Sequence, residues 1–324
     1  MFRFFFLSII VVNLAAQTVH AGLTDHIDFK TYKPEGVNIT AEYLDLFEKK
    51  PDVGTALKGT QVLFIEGIMA NYVHLMGDLI MKQFGTYTYF DEQEAYVRSI
   101  GLGVTRVKLE TENSAVKNSI VVANAIRKET KPIILLTHSK GGVDAMMALL
   151  NNPDLVQKVV GIVSLQSPFL GTPVADYLET TQPWKAIAYL SLAVMGGSGE
   201  SLKDLSTAQR IPWYQKNQAA IMKLQSQIPI LSFASHKMPE AGNKDDTVFK
   251  FSRDIMLEKM NAETDGLVPW KSAILPGGPY IAIEGVDHAA SVSKTKQIAL
   301  DQLKFTRAIF GTFAKVVNHF TPAE

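Results

Sequence analysis

The sequence predicts an α/β protein with a mostly parallel central sheet and helices on both of its faces. Three observations carry this. Six short apolar, β-branched runs recur along the chain, stretches with helical periodicity lie between them, and the middle runs are apolar almost without a break. Strands covered on both faces by helices have that pattern, because neither side of the sheet meets water. The 324 residues, 47% of them hydrophobic, suffice for one large domain with a sizeable core.

The start of the chain differs from the rest. "MFRFFFLSIIVVNLAAQTVHAG" carries one arginine, an apolar stretch from Phe4 to Ala16, and small residues around Ala21. It predicts an export signal over residues 1–21, cleaved after Ala21, leaving a secreted or periplasmic single domain over 22–324. An N-terminal anchor is the alternative, but the stretch falls short of the roughly 20 apolar residues a span needs. With no cysteine, the chain can form no disulfide and no thiolate metal site.

The expected strands are "TQVLFIEG" (60–67), "GVTRVKLE" (103–110), "KPIILLTH" (131–138), "VVGIVSLQS" (159–167), "IPILSFAS" (228–235) and "PYIAIEG" (279–285). Between the second and third, Val116, Ile120, Ala123 and Ile126 form the expected apolar stripe of a helix. After the third, Val143, Met146, Met147 and Leu150 follow helical spacing, and Asn151-Asn152-Pro153 ends that helix. Residues 176–222 are too long for a simple crossover and read as a helical cap insertion. Within it, Ala186 to Met195 forms either a lid over an apolar pocket, hinged at Gly196-Gly197, or a helix packed in the core.

The charge balance bounds the partners. Lys plus Arg and Asp plus Glu number 32 each, and no basic block with interleaved aromatics appears. A phosphate backbone needs such a footprint, so nucleic acid is excluded as an expectation. No protein partner is evident.

The chemistry gathers around "LLTHSKGGVDA" (135–145). An alcohol is a poor nucleophile at neutral pH unless a tight strand-to-helix turn lifts it clear of the backbone, with small residues two positions away on either side. Ser139 has Thr137 and Gly141 at those positions, an apolar strand before it and a helix after it. The N–H of Lys140, at the helix start, then faces the developing oxyanion with the helix dipole behind it. For the base, His20 leaves with the signal, His138 adjoins the serine and points away, and His319 is terminal. His26 and His74 precede the turn. His288, just past the last strand in "IAIEGVDHAAS", is favoured over His236. The orienting acid is Asp265 in "AETDGLVPW", with Glu263 as the fallback; Asp287 adjoins the histidine and cannot reach its far ring edge. The N–H of Ile68, after the turn at Gly67, is the candidate second oxyanion donor.

Together "FIEGIMA", "LLTHSKGG", "SPFLGTPVAD", "SLKDLSTAQRIPWYQ" and "TDGLVPWKSAILPGGPYIAIEGVDHA" resemble the α/β-hydrolase superfamily, and within it the bacterial secreted triacylglycerol lipases and esterases, over about residues 58–295. The resemblance implies Ser139 as nucleophile, Asp265 as acid, His288 as base, and Ile68 and Lys140 as backbone donors. It implies hydrolysis of lipid-like esters, with no cofactor and with contact at a lipid interface. A phospholipase, polyester depolymerase, thioesterase or acyltransferase with the same residues is the alternative, as is a binding protein of the same fold without catalysis. Glu66-Gly67 stands where these lipases have His-Gly. Ala290 stands where several carry an acid for structural calcium, so no metal is carried over.

Overall fold

A computed structural model of the chain describes residues 27–49, 51, 53–68, 70, 89–182, 199–237, 249–294, 300–320 and 322. The export signal, the apolar stretch Ala186–Met195 and the glycine pair 196–197 lie outside the described residues. All six expected strands are present. They are β2 (Gln61–Ile65), β3 (Gly103–Arg106), β4 (Ile133–His138), β5 (Val159–Leu165), β6 (Ile230–His236) and β7 (Pro279–Glu284). A two-residue strand, β1 (Val37–Asn38), completes a sheet in the order β1-β7-β6-β5-β4-β2-β3. Every pairing is parallel.

The alternation of side chains along each strand feeds two separate cores. Val62, Phe64, Ile134, Leu136, Val163, Leu165 and Phe233 face one side of the sheet. There they meet α1 (Thr40–Glu48), α3 (Asp91–Ser99) and the C-terminal helix α10 (Gln302–His319), whose Phe305, Phe310 and Phe313 are fully buried. Leu63, Ile65, Ile133, Leu135, Ile162 and Ile230 face the other side and meet α4 (Ala115–Lys128), α5 (Lys140–Asn151) and α8 (Thr207–Gln227). Burial on both faces accounts for strands that read as continuous apolar runs.

One expectation is corrected here. The buried stripe of α4 is Ala115, Asn118, Ser119, Val122, Ala123 and Ile126, whereas Val116 and Ile120 are exposed. The helix is rotated so that its small and polar residues meet α5, where Asn118 donates to Asp144 Oδ2 at 3.1 Å. Between β5 and β6 the chain forms α6 (Pro173–Thr180), α7 (Glu200–Lys203) and α8. Among the described residues the remaining α-helices are α2 (Gly54–Leu57) and α9 (Lys250–Met260). No helix among the described residues is long and apolar enough to cross a membrane.

Because all strands run the same way, the segments leaving β2, β4, β6 and β7 emerge at one edge of the sheet. Glu66 to Ile68 follow β2, Ser139 follows β4, and His288 follows β7. Asp265 joins them because the N–H of Lys237, just after β6, donates to the carbonyl of Thr264 at 2.9 Å. That edge is where open α/β sheets collect ligands.

Candidate active site

Ser139 stands between β4 and α5 with φ +53°, a left-handed value that a side chain rarely adopts. Its N–H donates to the carbonyl of Leu165 at the end of β5, at 2.9 Å, which ties the turn to the neighbouring strand. Two glycines make the turn possible through close approach. A Cβ on Gly141 would lie 2.4 Å from the carbonyl oxygen of Ile65, and one on Gly67 would lie 2.7 Å from Cβ of Ser139. The loop after β2 therefore presses directly on Ser139. Thr137, two residues before it, is fully buried, so the strand accommodates threonine at this position.

Asp265 and His288 meet. His288 Nδ1 lies 2.8 Å from Asp265 Oδ2, and the His288 N–H donates to the Asp265 carbonyl at 2.9 Å. A carboxylate only accepts, so Nδ1 carries the hydrogen of this bond. The second carboxylate oxygen of Asp265 accepts the N–H groups of Leu267 and Val268 at 2.9 and 2.8 Å, which holds the acid in one orientation. Both side chains are buried.

The alternatives go elsewhere. Glu263 is exposed and accepts from the indole N–H of Trp270 at 2.8 Å. His236 lies against the ring of Trp270, with centroids 6.2 Å apart. Asp287 accepts the N–H groups of Ala289 and Ala290, capping the turn behind His288, and burial raises its carboxyl above the usual range.

Ser139 and His288 are linked through His138, the last residue of β4 and the neighbour of the serine. The ring of His138 lies 4.6 Å from that of His288, and its Nε2 lies 2.9 Å from the His288 carbonyl oxygen. Its Nδ1 lies 2.5 Å from the hydroxyl of Tyr89. Burial first, and the neighbouring His288 second, hold His138 well below the usual imidazole range, so it is neutral.

Around the two donor positions the ionic chemistry differs from the His-Gly pattern. Glu66 is buried beside Arg106, whose Nη1 reaches its Oε1 at 3.4 Å and the Tyr89 carbonyl at 2.8 Å. The same guanidinium binds Asp91 at 2.5 Å and Glu94 at 2.6 Å. The N–H of Gly67 donates to the Tyr89 hydroxyl at 2.9 Å, which leaves Ile68 as the next amide along the loop. Lys140 begins α5, so its amide is one of the first-turn N–H groups that have no acceptor within a helix. Its ammonium turns away into the interior and bonds both oxygens of Asp144 at 2.9 Å.

Three buried glutamines support the His288 loop, and none was singled out from the sequence. Gln166 donates to Ser235 Oγ at 2.6 Å and to the Asp287 carbonyl at 3.0 Å, and accepts from Ser291 at 2.5 Å. Gln93 donates to the Ser291 carbonyl at 3.0 Å and to Gln302, which bonds the Ser293 carbonyl at 3.2 Å. The one signal in the sequence is that His138 and Gln166 each close an otherwise apolar strand, and a polar side chain there must find a buried partner.

A parallel seven-stranded sheet with helices on both faces, and a serine on a strained turn after β4, next to the central strand β5, is the α/β-hydrolase fold. Solved structures with this fold include a metagenomic carboxyl esterase, 19% identical, covering 95% of this chain and 98% of that one with a TM-score of 0.61. A lipase of Bacillus licheniformis in its mature form is 18% identical over 83% of this chain and 94% of that one, TM-score 0.58. Lipase 1 of Pelosinus fermentans is 13% identical over 81% and 99%, TM-score 0.50. No family model and no curated protein matches the sequence.

Proposed function

We propose that this chain is a carboxylic ester hydrolase that works through Ser139, His288 and Asp265. The observation that carries the reading is the 2.8 Å bond from His288 Nδ1 to Asp265, with the His288 carbonyl held at 2.9 Å by the residue adjoining Ser139. Nε2 of His288 takes the proton of Ser139 as its oxygen attacks the ester carbonyl carbon. The tetrahedral oxyanion is held by the N–H groups of Ile68 and Lys140. On collapse, the bond to the alkoxy oxygen breaks and that oxygen takes the proton from Nε2. Water, deprotonated by the same nitrogen, then attacks the acyl carbon; the bond to Ser139 Oγ breaks, Oγ takes the proton back from Nε2, and the acid leaves. Asp265 fixes the ring tautomer and stabilises the imidazolium.

The carboxyl esterase and lipases that share the fold support an ester as substrate. The apolar sequence Ala186–Met195, in the insertion over 176–222, favours a lipid-like acyl chain, whose burial contributes about 0.8 kcal/mol per CH₂. The N-terminal stretch favours export, with a domain beginning after Ala21.

Ser139→Ala is expected to lose p-nitrophenyl ester hydrolysis by at least about 10³-fold while keeping the wild-type circular dichroism spectrum. A variant that hydrolyses at near wild-type rates would remove Ser139 from the mechanism.

A further inference from the structure

Tyr89 and His138 take no part in the steps above, yet they link the two loops on which those steps depend. The N–H of Gly67 donates to the Tyr89 hydroxyl at 2.9 Å; the hydroxyl lies 2.5 Å from His138 Nδ1; His138 Nε2 lies 2.9 Å from the His288 carbonyl oxygen. The direction of this chain is forced. A carbonyl only accepts, so Nε2 carries the hydrogen, and the neutral ring then accepts at Nδ1. The phenol must donate there, which leaves its lone pair for Gly67. All links are buried, where an unmatched partner is costly and a satisfied chain is rigid.

The Tyr89 end of this chain is braced from outside. Arg106 bonds the Tyr89 carbonyl at 2.8 Å, and the N–H of Phe90 donates to the Val292 carbonyl in the His288 loop at 2.8 Å. Gly67 approaches Ser139 so closely that a Cβ there would sit 2.7 Å from the serine Cβ. A shift of this loop therefore changes how the next amide, that of Ile68, faces the reacting centre.

We infer that Tyr89 and His138 are positioning residues that hold the Gly67–Ile68 donor loop and the His288 base loop in register about Ser139. The inference rests on the roles proposed for Ser139, His288 and Asp265. The relay acts on the transition state more than on the bound ester, since it aims an oxyanion donor and a base rather than a substrate contact.

Two variants of the full-length chain each cut one arm. Tyr89→Phe removes the hydroxyl that joins Gly67 to His138. His138→Gln keeps a donor for the His288 carbonyl and removes the ring nitrogen that accepts from Tyr89. In each, kcat for a p-nitrophenyl ester, expressed per titrated site, is expected to fall roughly 10- to 100-fold with KM within about twofold, as for a misplacement of about 1 Å. The inhibition constant of phenylboronic acid, which forms a tetrahedral adduct with an active serine, should rise by a similar factor. The double variant should be no worse than the weaker single by more than about twofold, because both break one chain.

A fall in kcat per titrated site with no matching rise of the boronate constant overturns the relay. So does a folded variant with kcat within about twofold of wild type, or loss of folding in both variants, which would assign the pair to stability. A wild-type chain inert to the ester and blind to the boronate overturns the roles of Ser139 and His288, and the relay with them. An active wild type with unaffected variants overturns the relay alone.

Discussion

At Ser139 the backbone holds φ +53°, a value that costs roughly 1–3 kcal/mol for a residue with a side chain and persists only where neighbours over-determine it. Here the Leu165 carbonyl, Gly141 against Ile65 and Gly67 against the serine itself do so. His138, one residue earlier, is buried and neutral, and this gives it a pH signature. Its folded pKa is depressed below that of the unfolded chain, so below about pH 6.5 the unfolded state binds a proton that the folded state refuses. The stability tied to a neutral His138 is therefore present above that pH and is lost as pH falls through it. His138→Gln has no such proton to refuse. The stability advantage of wild type over this variant should shrink as pH falls from 7.5 to 5, measured by urea denaturation. A difference that stays constant across that range would mean that His138 takes up its proton as readily in the folded protein as in the unfolded chain.

Helix α5 carries an awkward feature at its start. The positive end of its dipole faces Ser139, which suits an oxyanion, but its first residue is a lysine, whose charge has the wrong sign for that end. The fold resolves this by turning the ammonium inward to Asp144, with both side chains buried. Burial still pushes the Asp144 carboxyl up to about 6 despite the lysine beside it. Asn118 from α4 donates to Asp144, so the pair ties α4 to α5, and the buried Arg210 of α8 adds a second positive charge that acts on Asp144 electrostatically. Asp144→Asn leaves a buried ammonium without its counter-charge and should cost about 3–5 kcal/mol of unfolding free energy. Lys140→Met with Asp144→Leu removes both charges and should recover most of that loss, since no uncompensated charge is left buried. If the single variant lost under 1 kcal/mol in chemical denaturation, the pair would be solvated rather than buried. The same contact explains why the apolar stripe of α4 was misread. Two overlapping stripes exist on that helix, and the one bearing Asn118, Ser119 and Ala123 packs inward because small residues and an amide suit the approach to α5.

Across the whole molecule, what was legible follows from how local each signal is. Six strands were legible because burial on both faces makes each one apolar over its own length. The order of the strands, and the two-residue β1, were not, since pairing partners leave no trace within a run. For the candidate site, the sequence puts Ser139, Asp265 and His288 in turns after strands in one chain order; the structure pairs His288 with Asp265, while Glu263 and His236 meet Trp270. The supporting shell was hidden. Tyr89 with His138, Gln166 with the His288 loop, and Glu66 with Arg106 are pairs made by the fold, far apart in the chain. The central claim, that this edge of the sheet activates one serine, is tested most directly by treating the purified chain with a fluorophosphonate and locating the adduct by peptide mass spectrometry. Near-stoichiometric labelling at Ser139, abolished in His288→Ala, is the expected result. No adduct, or an adduct on another residue, would contradict the account.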